Sequence, residues 1–310
     1  DDRRRYHLKG EILMHIGRVS TAMVTPFLPD GSIHFEMVAK LIEHLIATGT
    51  DSVVVCGTTG ESPTLTSQEK ADLIRFTVES VNNRIPVFAG TGSNSTRSSV
   101  ELTKVAEDAG VNGIMLVTPY YNKPDQRGMY EHFKTIAAST NLPVLLYNIP
   151  GRSVVNMLPE TVLALSKISN IQAIKEAGGN LEQMSDIIAG CQDDFAVYSG
   201  DDGLTLPLLS IGGAGVVSVA SHVVGNDMQK LIRAFEEGRH ADAATIHHAL
   251  LPLIRALFEK PNPVPVKYAL YKLGLDVGTV RLPLVDMTTE EKQNFDQAWA
   301  KFEEKRKYFK

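Results

Sequence analysis

The residue with the clearest chemical potential in this sequence is Lys175, which ends the short apolar run 171–175 just before Gly178 and Gly179. Such a run, bounded by turn residues, predicts a buried strand. The lysine at its end either extends into water or is partly desolvated. Desolvation favours the neutral amine, which is a nucleophile toward carbonyl groups. Because most single lysines simply reach solvent, the surrounding residues have to decide between the two hypotheses.

Other polar side chains follow neighbouring predicted strands. Thr58 and Thr59 lie in a glycine-bounded segment, Tyr147 ends a strand and Arg152 follows it. Each has a structural alternative: a tight turn for the threonines, a core position for the tyrosine and a solvated loop for the arginine. The functional alternatives are an anion-binding loop, a proton-relaying phenol and a guanidinium that binds a carboxylate. For the threonine segment the residues alone leave both alternatives open.

The elements that must position these side chains alternate between strands and helices along the chain. Strands followed by helices predict right-handed crossovers and a parallel sheet. Eight units in about 200 residues fit a (β/α)8 barrel over residues 17–224 better than an open sheet. The predicted strands are 20–24, 52–55, 87–90, 113–117, 144–147, 171–175, 196–199 and 215–219, and the predicted helices are 35–48, 67–81, 95–109, 126–139, 159–166, 180–189 and 203–210.

Barrel enzymes place their sites at the carboxyl ends of the strands. The hydroxyls, the phenol, the guanidinium and the amine therefore converge on one mouth, which favours the catalytic hypothesis for Lys175. Beyond the barrel, residues 225–310 predict a helical region with helices at 227–237, 241–260, 265–273 and 290–307. The charged tail 301–310 is expected to fray. Residues 1–16 are expected to be a leader, either translated or vector-derived, with Met14 as a plausible native start.

Composition excludes several classes of protein. A hydrophobic content of 43%, a charged content of 22% and a net charge of −5 are ordinary for a globular protein and argue against a nucleic-acid or membrane partner. The only two cysteines, Cys56 and Cys191, predict neither a disulfide framework nor a metal site and fit a cytoplasmic location. Adjacent side chains such as Asp201 and Asp202 diverge in extended backbone, so a structural role is favoured over a metal site. His247 and His248 are expected to be surface residues.

Five motifs resemble those of the 4-hydroxy-tetrahydrodipicolinate synthase family, over the chain from about Gly17 to the last helix. The motifs are Gly-Thr-Thr-Gly-Glu at 57–61, Pro-Tyr-Tyr-Asn at 119–122, Tyr-Asn-Ile-Pro-Gly-Arg at 147–152, Ile-Lys-Glu-Ala at 174–177 and Ser-Gly-Asp-Asp at 199–202. The threonine motif and the lysine are shared with the wider pyruvate-dependent aldolases, which include N-acetylneuraminate lyase. The tyrosine pair and Arg152 are more specific to the synthases.

The resemblance implies a class I aldolase mechanism without a metal or organic cofactor. Lys175 would form an imine with pyruvate, and its enamine would add to L-aspartate 4-semialdehyde, the first committed step of diaminopimelate and lysine biosynthesis. The catalytic residues would be Lys175 with a proton relay of Tyr147, Thr58 and Tyr121, the last supplied by a neighbouring subunit. Substrate binding would fall to Thr59, Arg152, Gly200 and Val217, with Thr58 and Thr59 on the pyruvate carboxylate and Arg152 on that of the semialdehyde.

The resemblance also implies a homo-oligomer, commonly a tetramer built from two tight dimers. Lysine-inhibited members carry histidines and a glutamate around a cleft where this chain has Ser67, Lys70 and Ser98 beside Asn94 and Tyr120. Because Lys70 would repel a lysine ligand, we expect weak or absent feedback inhibition. Two alternatives stay open: a sister aldolase acting on sialic acid or 2-keto-3-deoxy sugar acids, and a non-catalytic barrel that senses a keto acid.

Overall fold

The structure is a computed structural model that describes residues 15–309. The predicted leader therefore lies outside the described residues, apart from His15 and Ile16, and so does Lys310. Within the described part of the chain, no helix is long and apolar enough to cross a membrane.

Eight parallel strands form a closed barrel, in which each strand pairs with the next and the last pairs with the first. This confirms the predicted (β/α)8 barrel. The strands are β1 (Val19–Ala22), β2 (Ser52–Val55), β3 (Val87–Gly90), β4 (Gly113–Val117), β5 (Val144–Asn148), β6 (Ile171–Glu176), β7 (Ala196–Ser199) and β8 (Gly215–Ser218). The helices between them are α1 (Phe35–Ala47), α2 (Ser67–Val81), α3 (Thr96–Asp108), α4 (Gln126–Ala137), α5 (Pro150–Ser153), α6 (Pro159–Leu165), α7 (Leu181–Gly190) and α8 (Thr205–Ser210).

Side chains along each strand alternate between the barrel interior and the surrounding helices, because successive Cβ atoms in a strand point to opposite faces. On β5, Leu145 and Tyr147 belong to the interior cluster, whereas Val144 and Leu146 pack toward the helices. On β6, Ile174 likewise packs toward the helices. The alternation places Lys175 on the interior side, with Tyr147 as its register partner on β5.

The helical region after the barrel contains α9 (Ser221–Glu236), α10 (His240–Leu257), α11 (Val264–Lys272) and α12 (Thr289–Arg306). Helix α9 begins six residues before the predicted 227, with a break in helical geometry at Val224. The sequence signal was weak there because β-branched valines and a glycine are poor helix formers.

The predicted fraying of the charged tail is wrong for residues 301–306, which continue α12. Phe302 is completely buried. Arg306 forms an ion pair with Asp227 of α9, with Nη2 2.9 Å from Oδ2. One buried phenylalanine and one ion pair to a buried carboxylate thus hold a segment whose charged composition predicts exposure to solvent.

Candidate active site

Lys175 is buried at the carboxyl end of β6, with 4% of its surface exposed. Its Nζ lies over the ring of Tyr147, 4.0 Å from the ring centroid. Solvent exposure, the structural alternative for this lysine, is therefore wrong. The end of β7 packs directly on the lysine: a Cβ at Gly200 would lie 3.1 Å from Lys175 Cε and 2.7 Å from Ala177 Cβ. A glycine at position 200 thus leaves the room that the lysine side chain occupies.

The loop after β2 carries Thr58 and Thr59 and ends in a short 3-10 helix, Ser62–Thr64. A Cβ at Gly90 would lie only 2.4 Å from the backbone oxygen of Cys56, so the loop rests directly on the end of β3. Thr25 Oγ1 donates to Gly60 O over 2.6 Å. Thr59 is 2% exposed, so its side chain is fixed inside the mouth rather than in solvent.

A cavity of about 260 Å³ opens beside these residues. Among the predicted site residues, Thr58, Tyr147 and Arg152 line it, whereas Lys175 is not a lining residue and lies against one, Tyr147. Among residues 15–309, two cationic side chains, Lys70 and Arg152, line the cavity, and no acidic side chain does. Such a lining attracts anionic ligands such as carboxylates. The other lining residues are Cys56, Gly57, Ser62, Pro63, Gly90, Gly92, Ser93, Met115, Val117, Tyr120, Ile149 and Ser153.

Two predicted binding residues, Thr59 and Val217, are buried at the mouth without lining this cavity. Val217 lies on β8 within the interior cluster and pairs with Ser20 of β1. Tyr121 lies outside the cavity altogether: it is 89% exposed and has a left-handed backbone, with φ of 73°. Because a bulky residue is rarely held in this conformation, the loop presents Tyr121 outward at some energetic cost. Of the predicted residues, the structure thus brings Thr58, Tyr147 and Arg152 to one cavity, with Lys175 and Gly200 beside it, and leaves Tyr121 outside.

A family profile described as the Dihydrodipicolinate synthetase family matches residues 15–301. The chain belongs to this family. It is 59% identical over 280 residues to the 4-hydroxy-tetrahydrodipicolinate synthase of Bacillus subtilis strain 168, a match that covers 90% of this chain and 97% of the relative. A dihydrodipicolinate synthase structure from Bacillus anthracis superposes with a TM-score of 0.92 at 54% identity, covering 93% of this chain and 99% of that one.

A second structural relative is a dihydrodipicolinate synthase from Cyanidioschyzon merolae with lysine bound. It has a TM-score of 0.91 and 47% identity, and the match covers 93% of this chain and 98% of that one. All three relatives are named as synthases. They therefore do not favour the alternative that this chain is a sialic acid lyase.

Sequence reasoning missed a network of buried amides beside β6, on the side opposite to the Lys175 side chain. Glu176 follows Lys175 and points to the opposite side of β6, where it is almost fully buried. Its carboxylate accepts from Asn148 Nδ2 over 3.1 Å, from Gln183 Nε2 over 3.2 Å and from Gly178 N over 2.8 Å. Burial raises the pKa of Glu176, because desolvation disfavours the carboxylate. The network joins the ends of β5 and β6 and so fixes the register of Tyr147 and Lys175.

A second buried glutamate, Glu61, was also missed as a structural anchor. Its Oε2 lies 2.7 Å from Nζ of Lys267 on α11, and Arg281 N donates to its Oε1 over 2.9 Å. Burial lowers the pKa of Lys267, and the neighbouring Glu61 charge opposes that shift. The only sequence signal for this pair is the position of Glu61 at the end of the threonine motif, since its partner lies more than 200 residues away.

Asp202 has a structural role, as the sequence predicts. Its buried carboxylate accepts from the Ser218 hydroxyl, from Val219 N over 3.1 Å and from Ala220 N over 2.9 Å. Asp201 accepts from Gly203 N over 2.9 Å. Among residues 15–309, no group of three His, Cys, Asp or Glu side chains is placed to hold a metal ion.

Proposed function

We propose that this chain condenses pyruvate with L-aspartate 4-semialdehyde through an imine on Lys175, giving 4-hydroxy-tetrahydrodipicolinate. The observation that carries the proposal is the buried amine of Lys175 beside the Tyr147 ring, at the mouth of a barrel whose cavity is lined by cations and hydroxyls. A lysine amine is the group that forms imines with ketones, and the position of Lys175 puts this amine at the mouth of the barrel. The chain is thus a lyase-type enzyme of the dihydrodipicolinate synthetase family.

In the proposed reaction, Lys175 Nζ attacks the ketone carbon of pyruvate, and the carbonyl oxygen leaves as water to give the imine. Loss of a methyl proton gives an enamine, whose methylene carbon forms a bond to the aldehyde carbon of the semialdehyde. The amino group of that substrate then attacks the imine carbon, which closes the ring and releases Lys175. No metal or organic cofactor is required, because the imine itself accepts the electron pair.

The other site residues have roles that follow from their chemistry. Tyr147 and Thr58, which line the cavity, would move protons to and from the departing oxygen. The loop that carries Thr58 and Thr59 would hold the pyruvate carboxylate, with Gly200 and Val217 contributing backbone at the wall. Arg152, which also lines the cavity, would bind the carboxylate of the semialdehyde through bidentate hydrogen bonds from its guanidinium.

We assign Tyr121 to the site of a neighbouring subunit, within a homo-oligomer that we propose to be a tetramer of two tight dimers. Its 89% exposure supports this assignment, since a relay phenol must reach reacting atoms. Mixing and reassembling the separately inactive variants Tyr121→Phe and Lys175→Gln tests it. Activity is expected to return, because some sites would combine an intact Lys175 with an intact Tyr121 from the partner. Mixtures that stay inactive, although sedimentation shows mixed oligomers, would refute the assignment.

Borohydride reduction with pyruvate tests the proposed function directly. Mass spectrometry is expected to find one reduced pyruvate adduct, on Lys175, in the wild type and none in Lys175→Gln. Lys167→Gln, which changes an exposed lysine shortly before β6, is the matched control and should keep the adduct. The absence of an adduct in the wild type would overturn the proposal and leave the keto-acid sensor. Turnover with N-acetylneuraminate instead of aspartate semialdehyde would favour the sister aldolase.

Feedback inhibition by lysine is expected to be weak or absent. Lys70 and Tyr120 line the same cavity, and a lysine ligand would meet the Lys70 ammonium with no acidic side chain among the lining residues. Two like charges at close range repel, most strongly away from bulk water. Activity measured at rising lysine concentration checks this, and strong inhibition at submillimolar lysine would contradict it.

We also assign the enzyme to the cytoplasm, where reduced thiols such as those of Cys56 and Cys191 are usual.

A further inference from the structure

Thr59 has a hydrogen-bonding arrangement that limits what its hydroxyl can do. Its Oγ1 accepts a hydrogen bond from Asn262 Nδ2 over 2.9 Å, and both residues are buried, at 2% and 7% exposure. Among residues 15–309 this is the only hydrogen bond of the Thr59 side chain. A hydroxyl has one proton to donate. Because Asn262 occupies the oxygen as a donor, the proton of Thr59 stays available for an acceptor in the mouth.

Asn262 is held in place by the helical region rather than by the barrel. It lies between Pro261 and Pro263, just before α11, and each proline limits the backbone around it. Two residues downstream of it then fasten the same loop that carries Thr59. Lys267 Nζ lies 2.7 Å from Glu61 Oε2, and Arg281 Nη1 donates to Thr64 O over 2.7 Å. Lys267 is itself held by the backbone oxygen of Thr279, which accepts from its Nζ over 2.8 Å.

The amide of Asn262 is also incompletely satisfied. Its Oδ1 is buried and has no hydrogen-bond partner within the described part of the chain. An unsatisfied buried acceptor costs folding free energy. Groups of this kind call for an explanation, and the one side-chain hydrogen bond of Asn262 within the described residues is directed at a proposed substrate-binding hydroxyl.

We infer that Asn262 is a positioning residue: its donation to Thr59 fixes that hydroxyl as a donor toward the carboxylate of the 2-keto acid. The inference rests on the proposed function, since it requires a carboxylate in the mouth. It brings a residue of the helical region into the binding of pyruvate. An acceptor at position 262 would reverse the arrangement, because the Thr59 proton would then turn toward it and away from the substrate.

Asn262→Asp tests the inference, because a carboxylate of the same shape offers only acceptors to Thr59. The pyruvate concentration for half-maximal borohydride trapping, and KM for pyruvate, are expected to rise about 10- to 100-fold, the value of a hydrogen bond to a charged group. We expect a much smaller change in kcat, because the interaction is made with bound substrate before and during reaction. A residue that only stabilised the fold would not change KM selectively.

The new negative charge could also repel pyruvate, and a double-mutant cycle separates the two effects. In a Thr59→Val background the repulsion persists but the hydroxyl is gone, so Asn262→Asp should raise KM less than about twofold if the hydrogen bond is what matters. Equal effects in both backgrounds would overturn the inference. Asn294→Asp, on the exposed face of α12, is the matched control for an added charge and should leave KM unchanged.

Circular dichroism and thermal unfolding establish that each variant is folded. Where Asn262→Asp does not fold, Asn262→Ala carries the test: it frees the Thr59 hydroxyl to rotate and should raise KM about 2- to 10-fold in the wild type and not in Thr59→Val. Trapping of the wild type distinguishes a failure of the proposed function from a failure of the inference about Asn262. If the wild type is not trapped, the proposed function fails and the inference fails with it. If the wild type and both Asn262 variants respond identically to pyruvate, only the inference is overturned.

Discussion

Two buried glutamates follow proposed site residues at the mouth of the barrel, and their charges are compensated in different ways. Glu61 is paired with a cation, Lys267, whose Nζ lies 2.7 Å from its carboxylate. Glu176 has no cationic partner within residues 15–309, although it is just as inaccessible to water. It accepts hydrogen bonds from neutral donors only, namely Asn148 Nδ2, Gln183 Nε2 and Gly178 N.

The difference shows how each part of the mouth is fastened. The loop with Thr58 and Thr59 is connected to α11 by a buried ion pair, so that removing either partner leaves an unpaired charge out of water. The ends of β5 and β6 are connected by neutral N–H donors, so that loss of the Glu176 charge leaves no ion unpaired. Loss of charge should therefore be damaging at Glu61 and tolerated at Glu176.

The largest effect is expected for Lys267→Met. The variant leaves the Glu61 carboxylate buried without its cation, and breaking a buried pair in this way costs about 3–5 kcal/mol. The free energy of unfolding, measured by urea denaturation at neutral pH, should fall by that amount. Lys272→Met is the matched control on the same helix: its Nζ lies 2.7 Å from Asp296 Oδ1, but the pair is partly exposed and should contribute less than about 1 kcal/mol.

The double variant Glu61→Gln with Lys267→Met should recover most of the stability lost in Lys267→Met. Replacing both partners of a buried pair by neutral residues removes the unpaired charge, and such replacements are often close to neutral. Similar losses for Lys267→Met and Lys272→Met, or no recovery in the double variant, would show that the Glu61 pair does not fasten the loop as argued.

A smaller, pH-dependent effect is expected for Glu176→Gln. Burial raises the pKa of Glu176 above its usual value of 4.5, so the folded state holds this proton more tightly than the unfolded state. The contribution of Glu176 to stability therefore falls as pH rises from about 4.5 to the folded-state pKa, and is constant above it. Glutamine does not titrate. The stability of the variant relative to the wild type should thus improve with rising pH, by at most about 1.4 kcal/mol per pH unit.

Urea denaturation across this pH range provides the measurement, and taking the difference from the wild type cancels the titration of all other groups. Glu182→Gln, at an exposed position on α7, is the control and should show a difference that does not change with pH. Parallel behaviour of Glu176→Gln and Glu182→Gln would mean that Glu176 does not feel its burial, and the contrast with Glu61 would lose its basis.

Most of the fold was predictable from the sequence, because local patterns determine it. The alternation of short apolar runs with amphipathic segments predicted all eight strands and the barrel that they close. The errors fall where local pattern and tertiary contact disagree. Residues 301–306 look solvated by composition, but Phe302 and Arg306 attach them to the helical region. Helix α5, Pro150–Ser153, is too short for its periodicity to be recognised.

The active-site side chains on strand ends were predictable for the same reason, since the carboxyl ends of parallel strands must meet. The residues that hold them were not. Asn262 and Thr59 are 203 residues apart in sequence, and nothing local to either one identifies its partner. Lys267 reads as an ordinary lysine of a helix, although it is 4% exposed. A single sequence shows which residues can do the chemistry more readily than which residues position them.

The smallest effect is expected for Glu69→Gln, which tests whether burial governs the comparison. Glu69, on α2, is held by Arg281, with Oε1 2.5 Å from Nη2, and the backbone N of the same arginine donates to Glu61. The hydrogen bond from Arg281 lowers the pKa of Glu69 to about 2, so its contribution is present above the usual pKa of 4.5 and is lost as pH falls toward about 2. Water reaches this pair, and glutamine keeps the cap to Thr66 N. Urea denaturation at neutral pH should therefore show a loss below about 1 kcal/mol. A loss as large as that of Lys267→Met would mean that the partly exposed arginine pair contributes as much to fastening the loop with Thr58 and Thr59 as the buried pair does.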